Sequence, residues 1–391
     1  MVTTFAYDLA DPGFWRLPEG ERLAAFRELR ALGVPRKFGD FWALTRHAHV
    51  VEASRRGDVF LSGTGVTTPR PPRWVRAVFG DSMVNLDDPR HSRLRGVVSK
   101  AFTPRVVSRI AGDVTDLAAR IAEDVRERRP GDFVEAVAGR LPFAVICDMM
   151  GIPESYRPEV RAQVDHTTER TGGRLRVPGK NLRALARLHL VVAEVARQRR
   201  REPADDLISA LAGAGLNARE LGSFFSLLLV AGVETTRNTI AHGLRLLTEH
   251  PDQRALLLAD FAGHGAGFVE EVVRHSSPII QFRRTLARDH SFEGTVVKAG
   301  EDVMLFYSSA NRDEAVFGDP DAFDVTRSPN PHVGFGGGGP HFCLGTSLAR
   351  QEITAIFREL LARMPAIRAT GAAEMAPSSF DNRIARLPFT F

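Results

Sequence analysis

A run of four glycines followed closely by a cysteine is the feature that most limits how this chain can fold. The segment reads Phe335-Gly-Gly-Gly-Gly-Pro-His-Phe-Cys-Leu-Gly345, and a helical pattern extends from Thr346 to Arg363 directly after it. Glycine has no Cβ, so this backbone can bend sharply and lie against a flat group. The pattern predicts a tight loop that holds the thiol of Cys343 at the N-terminus of a helix.

The position of Cys343 indicates a chemical role for its thiol. The dipole and the free N–H groups at a helix N-terminus favour a thiolate. A thiolate on a glycine turn is a suitable axial ligand for haem iron, where it supplies electron density that favours O–O cleavage. On this segment alone, a small buried cysteine in a structural glycine loop remains the alternative.

The same loop also fits the spacing of a dinucleotide-binding fingerprint, Gly334-x-Gly336-x-x-Gly339. That fingerprint needs a strand before the loop, a helix that opens at the loop and an acidic residue about 20 positions later. Prolines crowd this loop, no βαβ pattern surrounds it, and the helix opens only after the cysteine. These features argue against nucleotide binding.

The composition is that of an ordinary globular protein and excludes several classes. Of the 391 residues, 43% are hydrophobic and 25% are charged. Cys147 and Cys343 are too few for a disulfide framework, and the N-terminus has no signal-peptide pattern, so we expect a cytoplasmic protein. The longest apolar run, Phe224–Val233, has ten residues and is too short to span a bilayer.

The charge balance is basic, with a formal net charge of +5. Such a balance suits a nucleic acid, a membrane surface or an acidic protein partner. The arginines are spread along the chain with no aromatic ladder among them, and the one dense cluster, at residues 197–202, ends a helical pattern. We therefore expect no nucleic-acid partner.

Helical periodicity predominates along the chain. The spacing of apolar residues predicts helices at Glu19–Leu32, Pro89–Ala101, Thr103–Arg128, Leu182–Glu202, Asn217–Glu249, Pro251–Asp260, Gly265–His275 and Thr346–Arg363. Short strands are predicted at Phe41–Thr45, Leu286–Phe292, Val303–Tyr307 and Leu387–Phe391. We expect one mainly α-helical domain over residues 1–391, with a minor β portion near both ends of the chain.

A second group of unusual residues lies at the centre of the predicted Asn217–Glu249 helix. Gly232 costs about 1 kcal/mol relative to alanine in a helix, and a carboxylate at Glu234, after an apolar stretch, is unfavourable if buried. Two costly choices together indicate a functional site. Thr235 can donate a hydrogen bond to the Ala231 carbonyl, and an acid beside an alcohol can relay protons. A buried helix with a polar face emerging at Glu234 is the alternative.

Several charged residues have spacings that permit a shared role. Glu271 and Arg274 lie at i, i+3, and Arg327 could dock on Glu271 to form a buried network, although such helical pairs are more often solvated contacts. A haem carries two propionates that need cationic donors. The candidate donors are His91, Arg95, Arg284 and His341.

Taken in order, these segments resemble the cytochrome P450 family of haem-thiolate monooxygenases. The resemblance runs through Phe41-Trp-Ala-Leu-Thr-Arg46, His91–Arg95, Phe102-Thr-Pro104, Ala231-Gly-x-Glu-Thr-Thr236, Glu271-x-x-Arg274, the Asn311–Arg327 meander and the Cys343 loop. One departure is that Phe335 lies eight positions before the cysteine, where the family usually has seven. This longer loop is similar to that of soluble bacterial members that oxidise sterols and methyl-branched lipids, which favours a bulky lipophilic substrate.

The resemblance implies a cytochrome P450 fold, with a large helical domain, small β-sheets and a long central helix that crosses the distal face of haem b. Cys343 would bind the iron, and Glu234 and Thr235 would deliver protons for cleavage of O₂. One oxygen atom would enter a C–H bond of a steroid, terpenoid, fatty acid or polyketide. Since no flavin domain is appended, electrons would come from NAD(P)H through ferredoxin reductase and a ferredoxin or flavodoxin. A monomer is expected.

The resemblance also implies which residues form the site. Haem contacts are expected from His91, Arg95, Ala231, Gly232, Arg284, Phe335, Gly336, His341, Cys343 and Gly345. The substrate pocket is expected at Val66–Thr68, Met83, Val84, Val230, Ala231, Ile279, Ile280, Phe282 and Phe380. Glu271, Arg274 and Arg327 would be structural, and Arg105 and Arg350 would face the redox partner.

Two other classes stay open at this point. A haem-thiolate peroxygenase would use peroxide directly and would usually place an arginine at the acid–alcohol site. A non-catalytic haem sensor would need no proton relay. The Glu234–Thr235 pair argues against both.

Overall fold

The computed structural model describes residues 5–68, 70, 74, 82–99, 102, 111–168 and 179–391. Arg105, expected on the partner-facing side, lies outside the described residues, as do Thr103, Pro104 and the start of the predicted Thr103–Arg128 helix. Within the described part, no helix is long and apolar enough to cross a membrane.

Helices make up most of the described chain, as the periodicity predicts. They are α1 (Glu19–Ala31), α2 (His47–Arg55), α3 (Arg90–Ser99), α4 (Ala111–Arg128), α5 (Arg140–Met150), α6 (Arg157–Thr168), α7 (Gly179–Arg201), α8 (Leu207–Gly213), α9 (Ala218–Leu228), α10 (Thr235–Glu249), α11 (Pro251–Ala259), α12 (Phe261–Ser276), α13 (Tyr307–Ala310) and α14 (Thr346–Arg363). Short 3₁₀ turns lie at Phe14–Arg16, Met83–Asn85 and Glu154–Tyr156, and π-helical turns at Val134–Ala138 and Leu229–Glu234.

The strands form one larger sheet and three two-stranded ribbons within the described residues. They are β1 (Arg36–Phe38), β2 (Phe41–Leu44), β3 (Phe60–Leu61), β4 (Gln281–Leu286), β5 (His290–Phe292), β6 (Thr295–Val297), β7 (Asp302–Phe306), β8 (Arg368–Ala369), β9 (Glu374–Ala376), β10 (Arg383–Arg386) and β11 (Phe389–Thr390). The five-stranded sheet has the order β1-β2-β7-β4-β3, in which only β2 and β7 run parallel. Only the end of the strand predicted at Leu286–Phe292 is found, as β5 (His290–Phe292), because the chain bends after β4 ends at Leu286.

The central helical path runs from Ala218 to Glu249 through α9, the π-helical turn and α10. Its start is fixed by a capping box in which the Asn217 side chain accepts hydrogen bonds from the first turn and Glu220 reaches back to the Asn217 N–H. Gly243 lets α10 approach α14 closely, since a Cβ there would lie 2.6 Å from the Phe357 ring. The central helix and the helix after Cys343 therefore pack in direct contact.

Candidate functional site

The cysteine loop is closed by a backbone hydrogen bond between its two ends. The Cys343 N–H donates to the Phe335 carbonyl at 2.9 Å. Between them the chain turns through Gly336 at φ 98° and Gly339 at φ 78°, a region that residues with a Cβ rarely adopt. Helix α14 begins at Thr346, as predicted, and the Thr346 hydroxyl donates to the Cys343 carbonyl at 2.8 Å.

The middle of the glycine run packs against helix α2. A Cβ on Gly337 would lie 2.7 Å from the Ser54 hydroxyl oxygen, and one on Gly339 would lie 2.3 Å from the Ser54 carbonyl oxygen. The expectation that the run as a whole lies against a flat group is therefore corrected for these two residues. They are glycines because the loop approaches the backbone of α2 too closely for a side chain.

The thiol of Cys343 is accessible although protein atoms crowd around it. The side chain has exposed surface, yet burial raises the pKa of the thiol, against the opposing effects of hydrogen bonds from Gly345 and Thr346 and the charges of Arg95 and Arg350. The thiol is therefore open to a ligand although neighbouring protein atoms surround it. The helix N-terminus alone does not produce a thiolate here, whereas a bound metal ion deprotonates a coordinating thiol outright.

Basic side chains gather next to this thiol. The rings of His91 and His341 lie 4.2 Å apart between centroids, and the Ser62 hydroxyl lies 3.1 Å from His341 Nε2. Burial, together with the charges of Arg284, His91 and Arg95, lowers the pKa of His341 to about 3. The structure thus brings together the four candidate propionate donors.

This cluster fits an anionic group such as the haem propionates. His91 is 1% exposed, and its Nε2 atom has no hydrogen-bond partner among the described residues. Arg284 is also buried, and burial lowers the pKa of its guanidinium. Arg95 Nη2 donates to the Phe342 carbonyl at 2.6 Å and so ties α3 to the cysteine loop. A buried donor without a partner is costly, and an acceptor-rich carboxylate would satisfy it.

The acid–alcohol pair lies at the end of the π-helical turn. The Thr235 hydroxyl donates to the Ala231 carbonyl at 2.5 Å, as predicted, and the helix is locally widened over Leu229–Glu234. Val230 is 44% exposed and Ala231 is exposed, whereas Leu229 and Val233 are buried. The face of the central helix that carries Val230 and Ala231 is therefore accessible.

Glu234 is buried and ion-paired. Its carboxylate accepts hydrogen bonds from Arg237 Nη1 at 3.0 and 3.1 Å. The sequence interpretation missed Arg237, although its i, i+3 spacing from Glu234 was the available signal. Gly232 faces α5 closely, since a Cβ there would lie 3.0 Å from Ile146 Cδ1. Close packing against α5 therefore also favours a glycine at this position, which the resemblance assigned to contact with haem.

The expected substrate pocket is only partly assembled as predicted. The rings of Phe282 and Phe380 lie 5.6 Å apart, and Ile279 is partly buried beside the sheet. The prediction for Ile280 is corrected, because its side chain is 1% exposed and packs in the N-terminal hydrophobic cluster that contains Trp15.

Three further pocket candidates are Val66, which follows β3, and Met83 and Val84, which lie in the Met83–Asn85 turn. Val66 is 2% exposed, and its carbonyl accepts the Arg283 N–H at 2.8 Å, so its role is structural packing. Val84 is partly buried. Met83 lines a cavity of about 160 Å³ with Leu94 and Phe224.

Glu271, Arg274 and Arg327 form the buried network that their spacing allowed. Glu271 and Arg274 are fully buried, with N–O distances of 2.7 and 2.8 Å, and Arg327 Nε donates to Glu271 at 3.2 Å. Asn330 Nδ2 also donates to Glu271 at 3.0 Å. Since every carboxylate oxygen has partners, the burial of this charge is tolerable.

Comparison with known proteins agrees with this arrangement. A model of the family described as cytochrome P450 matches residues 266–365. The methyl-branched lipid omega-hydroxylase of Mycobacterium tuberculosis (strain H37Rv) is 41% identical over an alignment of 405 positions. The alignment covers 98% of this chain and 94% of that protein. The chain belongs to the cytochrome P450 family.

Two further relatives support the same assignment. The steroid C26-monooxygenase of M. tuberculosis (strain H37Rv) is 36% identical over 406 residues, which cover 97% of this chain and 91% of that enzyme. The solved structure of Mycobacterium marinum cytochrome P450 CYP268A2 in complex with pseudoionone matches with a TM-score of 0.91 at 41% identity, and the match covers 99% of this chain and 98% of that one. The chain is a cytochrome P450 monooxygenase with the fold that the resemblance implied.

Proposed function

We propose that this cytochrome P450 hydroxylates a lipophilic small molecule, with Cys343 as the axial thiolate ligand of haem b. The accessible thiol in a loop that is closed on Phe335, next to the cluster of buried basic residues, is the observation that carries the proposal. When bound, haem supplies the activation of O₂. His91, Arg95, Arg284 and His341 would hold its propionates.

Glu234 and Thr235 would control protons on the distal side. The Thr235 hydroxyl donates a hydrogen bond to the Ala231 carbonyl, so its oxygen can accept a hydrogen bond from a bound group while the side chain keeps its orientation. Glu234 is fixed by Arg237 one turn away, which keeps a carboxylate next to the alcohol. The pair would pass protons to a group bound at the accessible face of the central helix.

The substrate class we propose is a steroid or a methyl-branched lipid. One relative is named as a steroid monooxygenase and another as a methyl-branched lipid hydroxylase, and Val230, Phe282 and Phe380 offer apolar and aromatic contacts. Electrons would come from NAD(P)H through ferredoxin reductase and a ferredoxin or flavodoxin. The enzyme would act as a monomer in the cytoplasm.

Replacement of the two cysteines tests the proposal. Reduced wild-type protein with CO should show the strongly red-shifted Soret band of thiolate-bound haem. Cys343→His should lose that band, whereas Cys147→Ala should keep it, because Cys147 is buried in α5 and burial raises the pKa of its thiol to about 12. A Cys343→His protein that keeps the band would contradict the ligand assignment. Titration of the wild type with a sterol and a methyl-branched fatty acid should shift the haem spectrum, and no shift with either would contradict the substrate class.

A further inference from the structure

Glu270 on α12 holds two side chains that both contact Phe335. Arg350 Nε and Nη2 lie 2.5 and 2.7 Å from the two oxygens of the Glu270 carboxylate. His332 Nε2 lies 3.0 Å from the second of these oxygens. One carboxylate thus fixes a cation from α14 and a ring from the segment that enters the cysteine loop.

Arg350 and His332 in turn contact the same aromatic ring. The Arg350 guanidinium carbon lies 4.9 Å from the centre of the Phe335 ring, which is a cation–π distance. The His332 ring centre lies 5.7 Å from it. The position of Phe335 therefore depends on two groups that Glu270 orients.

Phe335 connects this arrangement directly to Cys343, because its carbonyl accepts a hydrogen bond from the Cys343 N–H at 2.9 Å. Gly334, which precedes Phe335, is also held in place. The Gly334 N–H donates to His332 Nδ1 at 3.1 Å, and a Cβ on Gly334 would lie 2.5 Å from Val273 on α12. The start of the loop is thus held against the helix that carries Glu270.

The carboxyl group of Glu270 is held in its ionised form. Burial acts to raise the pKa of its carboxyl, but hydrogen bonds from Arg350 and His332 outweigh it and hold the pKa at about 2. An exposed ion pair usually contributes little. This carboxylate differs, because it is only 26% exposed and has a bidentate arginine and a second partner.

The length of the cysteine loop explains why additional contacts are needed to order it. Phe335 lies eight positions before Cys343, and a longer glycine segment has more conformational freedom to lose. We propose that Glu270 is a positioning residue for the cysteine loop, which acts through Arg350 and His332 on Phe335 and through the Phe335 carbonyl on Cys343. The inference rests on the proposed role of Cys343 as the haem ligand.

Glu270→Gln in the holoprotein removes the charge and keeps the shape of the side chain. Two rates are compared with wild type: amide hydrogen exchange in the peptide that spans residues 334–345, and loss of the red-shifted CO band on mild warming. Both should rise about tenfold, because a charge-assisted hydrogen bond is replaced by a neutral one. Glu270→Asp, which restores the charge, should recover part of the difference.

Glu359→Gln is the matched control. Glu359 lies on α14, the helix of Arg350, and pairs with Arg363 at 2.9 Å rather than with any residue of the loop. It should have wild-type rates. Wild-type rates in Glu270→Gln would overturn the inference, whereas a wild type without the red-shifted band would instead overturn the proposed ligand.

Arg350→Lys provides a second route if Glu270→Gln does not accumulate with haem. Lysine keeps the positive charge but cannot form the bidentate pair or stack in the same way on Phe335. Faster exchange and faster loss of the band in this variant would support the inference. Wild-type values would overturn it.

Discussion

At the scale of single residues, Glu352 is a group that the sequence patterns did not reveal. It lies on α14, is 2% exposed, and its Oε1 atom has no hydrogen-bond partner among the described residues. Burial raises the pKa of its carboxyl to about 8, and a hydrogen bond with Thr236 opposes this only in part. A neutral acid therefore lies against the residue that follows Thr235.

The raised pKa of Glu352 predicts how stability depends on pH. Between the unfolded pKa of 4.5 and the folded pKa of about 8, the unfolded chain has released a proton that the folded protein retains. Stability from this group is thus present below pH 4.5 and is lost as pH rises towards 8, by a few kcal/mol. In Glu352→Gln, the melting temperature should decrease less between pH 5 and pH 8 than it does in the wild type. Glu359→Gln should leave that fall unchanged, and an unchanged fall in Glu352→Gln would contradict the prediction.

At the scale of elements, the π-helical turn Leu229–Glu234 sets the acid–alcohol pair within the central helix. Thr235→Ala should still bind haem and substrate, but it removes the hydroxyl that we propose passes protons. We expect product formed per NADH consumed to fall by about an order of magnitude, with the balance appearing as peroxide. The measurement is the ratio of product to NADH in a reconstituted system.

Thr239→Ala is the control for Thr235. Thr239 lies one turn later, and its hydroxyl donates to the Thr235 carbonyl at 2.8 Å, so it has the same kind of bond to the helix backbone. It should keep the wild-type ratio, and Thr235→Ser should recover most of it. A wild-type ratio in Thr235→Ala would remove the hydroxyl from the mechanism.

The elements also show what a single sequence can predict. Helix α14 was predicted with its observed bounds, since its apolar spacing and the preceding glycines agree. Helix α5 was missed because most of its residues are buried and only Arg140 and Asp148 are charged, which leaves a weak polar pattern. The short helix α2 was missed too, and for that reason the packing of Gly337 and Gly339 on Ser54 could not be predicted.

In the site, too, contacts within one helix could be predicted from the sequence, whereas contacts between separate segments could not. The pairing of Glu271 with Arg274 follows from spacing on one helix, and it is confirmed. The approach of His91 to His341 depends on how α3 meets the cysteine loop, which no local pattern contains. The tie from Glu270 to Phe335 was missed because Glu270, Arg350 and His332 come from three separate segments.

At the scale of the whole molecule, we propose that the basic charge attracts an acidic protein partner. The formal net charge is +5, but the two arginines nearest the thiol are already engaged: Arg95 with the Phe342 carbonyl and Arg350 with Glu270. Arg350 is 43% exposed, and the neighbouring carboxylate offsets much of its field. Steering of an acidic partner therefore depends on the summed charge of the face more than on either residue.

The first electron-transfer rate at sub-saturating ferredoxin should consequently fall steeply as salt rises, while haem and substrate binding hardly change. Charges that steer encounter are screened over about 8–10 Å at physiological ionic strength. Arg55 is exposed at the end of α2, where the glycine run packs, so Arg55→Glu should slow this step several-fold at low salt. Arg197→Glu makes the same change of net charge on α7, which packs on α6, α8 and α9, and should have little effect. A rate that is flat from low to high salt would mean that the basic charge serves another purpose, such as attraction of a substrate bound to an acidic carrier.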